Sequence, residues 1–71
     1  MILNLDAVIT LKNQLSEKFH IYLHFHDACG SQSFSFDAPV SQEVQNYISE
    51  YVKNLGGIVQ FSKAGNHFIV N

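Results

Sequence analysis

The sequence predicts a small α+β domain with a two-layer α-β-β-α-β-β order, in which two helices cover one face of a four-stranded, mainly antiparallel sheet. Three observations carry that expectation. Apolar residues recur at three- and four-residue steps in two stretches, first at Leu5, Val8, Leu11, Leu15 and Phe19, then at Val44, Tyr47, Ile48, Tyr51 and Leu55. That is the spacing of one helix face. Each stretch is followed by two runs in which apolar and polar residues alternate, the period of a half-buried strand. The two halves also match in pattern. A shift of 36 lays Val8 on Val44, Leu11 on Tyr47, Leu15 on Tyr51, Phe19 on Leu55, Leu23 on Val59 and Phe25 on Phe61. A shift of 34 then lays Phe34 on Phe68 and Phe36 on Val70. The chain reads as a single domain over residues 1–71, built from two helix–strand–strand units at about 4–38 and 40–71.

The first helix is expected over residues 4–18, with Asn4 as its N-cap and Asp6 placed favourably in the first turn. From His20 the period becomes two: Ile21, Leu23 and Phe25 alternate with His20, Tyr22, His24 and His26, which predicts a strand over 20–28. Phe34 and Phe36 alternate with Ser33 and Ser35 on a return strand over 32–37 that Pro39 stops. Ser41 caps a second helix over 41–55, with Glu43 in its first turn and Gly56-Gly57 ending it. Two further strands, over 57–63 and 67–71, turn Val59, Phe61, Phe68 and Val70 inward. Leu15, Leu23, Phe25, Phe34, Phe36, Tyr51, Val59, Phe61 and Phe68 are the expected core. Both hairpins have a Gly followed by a small polar residue, Gly30-Ser31 and Gly65-Asn66, the order a two-residue type II′ turn prefers. Turns centred there pair Phe25 with Phe36 and Phe61 with Val70. Turns centred on Cys29-Gly30 and Ala64-Gly65 keep the same phases, but as type I′ turns they would push Cys29 or Ala64 to positive φ. The Gly-first register is therefore preferred.

Composition bounds the function. A hydrophobic content of 46% with six Phe and three Tyr suits a packed core rather than a disordered chain. No apolar run approaches the roughly 18–20 residues that cross a membrane. The N-terminus has no basic segment or cleavage-like site, so no secretory signal is expected. A single Cys makes no internal disulfide, which points to the cytoplasm. The basic residues are Lys12, Lys18, Lys53 and Lys63, there is no Arg, and the net charge is −2. Nucleic-acid and anionic-membrane binding both draw on clustered cations, so neither partner is expected.

The stretch from His24 to Phe36 holds the most chemistry. It places two of the four His, the only Cys and an Asp around one hairpin tip. With odd positions 21–25 facing the helices, His20, Tyr22, His24 and His26 face away from them, and so does His67. All four His are thus expected on the helix-free side of the sheet, beside Ile58, Ile69 and a nearly charge-free set of Ser and Gln. Such a face is either an ordinary solvated sheet face or a surface for a partner or a second copy. His24 and His26 have the alternating spacing some zinc enzymes use for two ligands, but two imidazoles are incomplete without a third donor from His20, His67 or another subunit. They are weak metal candidates. Cys29 is either a small turn residue or a reactive thiol: proximity to the start of the first helix would lower its pKa, and Asp27 would raise it.

The tetrapeptide His26-Asp27-Ala28-Cys29, followed by Gly30-Ser31-Gln32-Ser33, resembles the signature of a family of short bacterial proteins named for an Arg-Asp-Ala-Cys (RDAC) motif. The similarity extends over most of the chain, with a helix before the motif and an aromatic-rich strand pair after it. It implies a shared fold and motif and no assigned reaction. Asp27, Ala28 and Cys29 match; His26 stands where the motif has Arg, so an anion held by that Arg would be held here weakly or only by protonated imidazole.

The leading reading is a small cytoplasmic binding module, non-enzymatic, acting through its helix-free sheet face and the tip at 27–32. Its candidate binding residues are His24, His26, Asp27, Cys29, Gly30, Ser31, Gln32 and Tyr22, and its partner is a protein or a second copy of the chain. The alternative is a thiol-redox or metal-binding role centred on Cys29 with His24 and His26. No catalytic residue or cofactor is assigned.

Overall fold

The computed structural model describes residues 3–28 and 31–71, with backbone alone for Asp27, Ala28 and Ser31. Six elements follow one another: α1 (Leu5–Phe19), β1 (His24–Ala28), β2 (Ser31–Ser35), α2 (Gln42–Asn54), β3 (Val59–Phe61) and β4 (His67–Val70). The strands form one antiparallel sheet in the order β1-β2-β4-β3. Both helices bury their apolar stripes on the same sheet face. Val8, Leu11 and Leu15 of α1 and Val44, Ile48 and Val52 of α2 meet Phe34, Phe36, Phe68 and Val70 in one core.

Both helix starts follow from their caps. The Asn4 side chain accepts the Ala7 N–H at 2.7 Å, and the Ser41 hydroxyl accepts the Val44 N–H at 3.4 Å. The two ends are built differently. At the end of α2, Gly56 takes φ 91°, and the Gly57 and Gly56 N–H groups return to the carbonyls of Val52 and Lys53, a Schellman closure. At the end of α1 the left-handed position falls to His20, at φ 57° and ψ 38°, whose N–H donates to the Ser16 carbonyl. The strand expected from residue 20 therefore starts at His24. Residues 20–23 are spent ending the helix and descending to the sheet, and β2 offers them no ladder because it ends at Ser35. Past that point Phe36 donates to the Asn66 carbonyl instead, and the chain bends towards Pro39.

Both hairpins take the register that was set aside. Phe25 pairs with Phe34 and Phe61 pairs with Phe68. In the second hairpin the reason is visible. The loop spans four residues rather than two: the Ser62 N–H donates to the His67 carbonyl, and a tight turn inside closes from the Gly65 N–H to the Ser62 carbonyl at 3.0 Å. Positive φ falls on Gly65, at 76°, and Ala64 is spared it, so the steric objection to this register does not arise. In the first hairpin Ala28 pairs with Ser31, so the two intervening residues are Cys29 and Gly30, both outside the described residues.

This register sets one Phe from each strand in a single row across the sheet. Centroid separations along Phe25, Phe34, Phe68 and Phe61 are 5.2, 4.7 and 5.1 Å, and the central pair, Phe34 with Phe68, is nearly parallel. These are separations at which rings attract beyond their burial, by about 0.5–1.5 kcal/mol per pair. Four residues of the expected core are not fully buried. Phe25 is 36% exposed because β1 is an edge strand with a neighbour on one side only. Tyr51, Val59 and Phe61 pack against the core partly buried, while Leu3 and Val52 are fully within it. Leu5 and Leu55, assigned to helix faces, lie at the helix ends and are exposed.

The helices run antiparallel and are joined by two tyrosines. The Tyr47 hydroxyl donates to the Gln14 side chain, and its ring meets Phe19 edge-on at 5.5 Å, under Lys18. Tyr51 donates to the Ala7 carbonyl at 2.8 Å. Burial, with Tyr47 nearby, raises the Tyr51 pKa above the usual tyrosine value.

Candidate sheet-face site

Strand alternation and register together define the face the helices leave open. His24 and His26 of β1, Ser33 and Ser35 of β2, His67 and Ile69 of β4, and Gln60 of β3 all point away from the core. The opposite residues of each strand are the ones the helices bury or half-bury. Two rows cross the sheet: His24, Ser35 and His67, then His26, Ser33, Ile69 and Gln60. Ile58, exchanging backbone bonds with Asn71 just before β3, adds an apolar side chain that is 69% exposed.

The rows give the face a relief. The two central serines are small and leave a shallow trough along β2, which the His26 ring enters to meet Ser35. Its walls are His24 and His26 on one side and His67 and Ile69 on the other, two strand spacings apart, or roughly 9.5 Å. The β1 wall is fastened diagonally. His24 Nε2 lies 2.9 Å from Asp37 Oδ1, and His26 Nε2 lies 2.9 Å from the Ser35 hydroxyl. Asp37 escaped the sequence reading, since alternation ends before it. The signal that could have found it is the first-hairpin register, which sets His24 opposite Ser35 and so diagonal to residue 37.

The other candidates divide. Tyr22 precedes β1 and is 67% exposed; it borders an open cleft of about 420 Å³ whose walls include Phe19, Ile21, Phe36 and Val40. His20 borders that cleft too. It belongs to the end of α1 rather than to a strand, so three His, and not four, lie on the sheet face. Gln32 is not free to bind anything. It points inward, is 5% exposed, and its amide accepts the Leu3 N–H at 2.7 Å and donates to the Leu3 carbonyl at 2.9 Å. The alternation that turns Phe34 inward turns Gln32 inward as well, and a buried amide must find partners. Asp27 and Ser31 contribute their backbone positions to the tip, and Cys29 and Gly30 lie outside the described residues.

Among the described residues, no three His, Cys, Asp or Glu side chains gather as a metal-ligand group, and no helix is long and apolar enough to cross a membrane. No family model matches the chain, nor does any curated protein or solved structure.

Proposed function

We propose that the chain is a non-enzymatic binding module, cytoplasmic, whose helix-free sheet face receives the surface of another protein, with the 27–32 tip at its margin. One observation supports this reading above the others. Among the described residues, no layer covers one entire face of the sheet, and its outward side chains are His, Ser, Gln and Ile. A serine trough runs between His and Ile walls, Ile58 stands exposed beside it, and Asp37 is the one charged side chain placed against it among the described residues. Surfaces that stay solvated carry interspersed charges, and a large face without them marks a site of association. The lysines of this chain lie elsewhere, on the two helices and in the 63–66 loop.

Filling the trough tests the reading. The double variant Ser33→Arg/Ile69→Asp changes outward side chains only and should keep the wild-type far-UV spectrum. In crosslinking-free pull-downs from the source cell, compared quantitatively with wild type, it should lose at least nine-tenths of whichever protein wild type retains in stoichiometric amount. Retention of that protein at equal yield by the double variant would refute the face as the binding surface.

A further inference from the structure

The phase of the sheet ladder determines which backbone groups β1 offers to solvent. The Phe36 N–H donates to the carbonyl of Asn66, which continues the β2–β4 register one residue before β4, so Gln32, Phe34 and Phe36 aim their backbone groups at β4. On the far side of β4, Asn71 exchanges both bonds with Ile58, which fits the same alternation. Ser31, Ser33 and Ser35 must then aim at β1, and their partners Ala28, His26 and His24 aim back. That leaves Phe25 and Asp27 with N–H and C=O directed outward from the edge.

This edge lacks three of the usual protections. β1 contains no proline and no lysine, and it pairs with β2 residue for residue without a bulge. The opposite edge is different, because α2 packs on β3. Phe25, one end of the aromatic row, is left 36% exposed where the row stops.

A second copy of β1 can pair antiparallel with this edge only where outward-aimed residues meet. Three two-fold registers satisfy that. Centring on residue 27 sets aspartate against aspartate, and centring on residue 26 sets Phe25 against Asp27. Centring on Phe25 sets ring against ring, covers both exposed phenyl groups and continues the aromatic row through eight strands. In that register His24 of one chain stands opposite His26 of the other, twice. These are non-hydrogen-bonded positions, whose side chains approach most closely, with Cβ atoms about 4.5–5.5 Å apart. Successive same-face residues are roughly 7 Å apart along a strand, so four imidazoles share one small patch.

We propose that a second copy of this chain adds to the β1 edge with Phe25 on the two-fold axis, and that His24 and His26 of both chains hold one divalent transition-metal ion of the zinc class. Neutral imidazole is a good ligand for such ions, and four complete a tetrahedral set that one chain cannot supply. Asp37 fits this role. By accepting a hydrogen bond from one nitrogen of His24 it fixes the ring and makes the other nitrogen a stronger donor. The proposal rests on reading the protein as an association module, but it uses the edge, whereas the serine trough remains open for another partner.

Two measurements on the full chain, carrying Cys29→Ser to remove the native thiol, test it. In sedimentation equilibrium, zinc chloride should tighten dimerisation at least tenfold with one Zn²⁺ per two chains. EDTA should reverse this, and His24→Ala or His26→Ala should abolish it without changing thermal unfolding. For the register, a His24→Cys chain mixed with a His26→Cys chain should form a mixed disulfide under mild oxidation at least ten times faster than either forms its own. A chain that stays monomeric with zinc at a hundred micromolar, or crosslinks equally fast in all three samples, overturns the dimer. A mixed disulfide without zinc-dependent tightening, or one Zn²⁺ per chain, overturns the metal site. Either failure leaves Ser33→Arg/Ile69→Asp to judge the sheet face separately.

Discussion

The two halves of this chain share a pattern and a register but differ in how completely they are closed. In the α2β3β4 half, the hairpin tip is docked. Gly65 accepts from the Val40 N–H at 3.0 Å, Asn66 accepts from Phe36, and Gln45 reaches the Val40 carbonyl beside them. Its edge strand lies under α2, and its helix ends on a glycine. In the α1β1β2 half the edge strand leaves its aromatic partly exposed, the helix ends on a strained His20, and near the tip, among the described residues, Gln32 holds Leu3. The shared pattern sets topology. The unshared residues leave one half open, and that half carries His24, His26 and Asp37.

Substitutions along the aromatic row should show this contrast most strongly. Phe34→Ala, at the fully buried centre, should cost about 3–5 kcal/mol in urea unfolding. Phe25→Ala at the open end should cost roughly 1–2 kcal/mol, in proportion to its smaller burial. Equal losses would mean that the edge is as closed as the centre. Next comes the clamp. Gln32→Ala leaves the Leu3 N–H and carbonyl without their partner and should cost about 2–3 kcal/mol, whereas a mere tip residue would cost far less.

Two of the left-handed positions, Gly65 and His20, should respond with opposite signs. Gly65→Ala places a Cβ 3.0 Å from Gln45 Nε2 at a φ that L residues avoid, and should destabilise by about 1–2 kcal/mol. His20→Gly removes the same kind of strain and should stabilise by about 0.5–1 kcal/mol after the added freedom of glycine in the unfolded chain is counted. Thermal melts of the pair decide whether the α1 terminus is strained. An effect of similar size lies between the helices. Because the folded state holds Tyr51 neutral to a higher pH than the unfolded state does, its contribution is complete below about pH 10 and is lost as pH rises through the raised folded value. Tyr51→Phe should cost about 1 kcal/mol at neutral pH and flatten the alkaline fall in stability.

The sequence displays the architecture because each half repeats its periodicities. The 34-residue shift that laid Phe34 on Phe68 matches two residues that face each other across the central strand pair. Hairpin register was harder to read. The Gly-first rule assumes a two-residue loop, and nothing local to Ser62, Lys63, Ala64 and Gly65 announces that a longer loop will dock on Val40. Gln32 was misassigned for a related reason. Its polarity suggested exposure, but strand phase had already turned it inward, and its partner is 29 residues away in sequence. At the site, parity alone placed His24, His26 and His67. His20 fell outside because a helix terminus, and not a strand, claimed it.

The glutamine clamp also bears on where the chain could be cut. Gln32 holds Leu3 through its side chain and Val70 through its strand pairing, so one residue ties segments from opposite ends of the described chain. A break between the exposed Lys63 and Ala64 should therefore loosen the second hairpin while leaving this tie and the His-bearing strand intact.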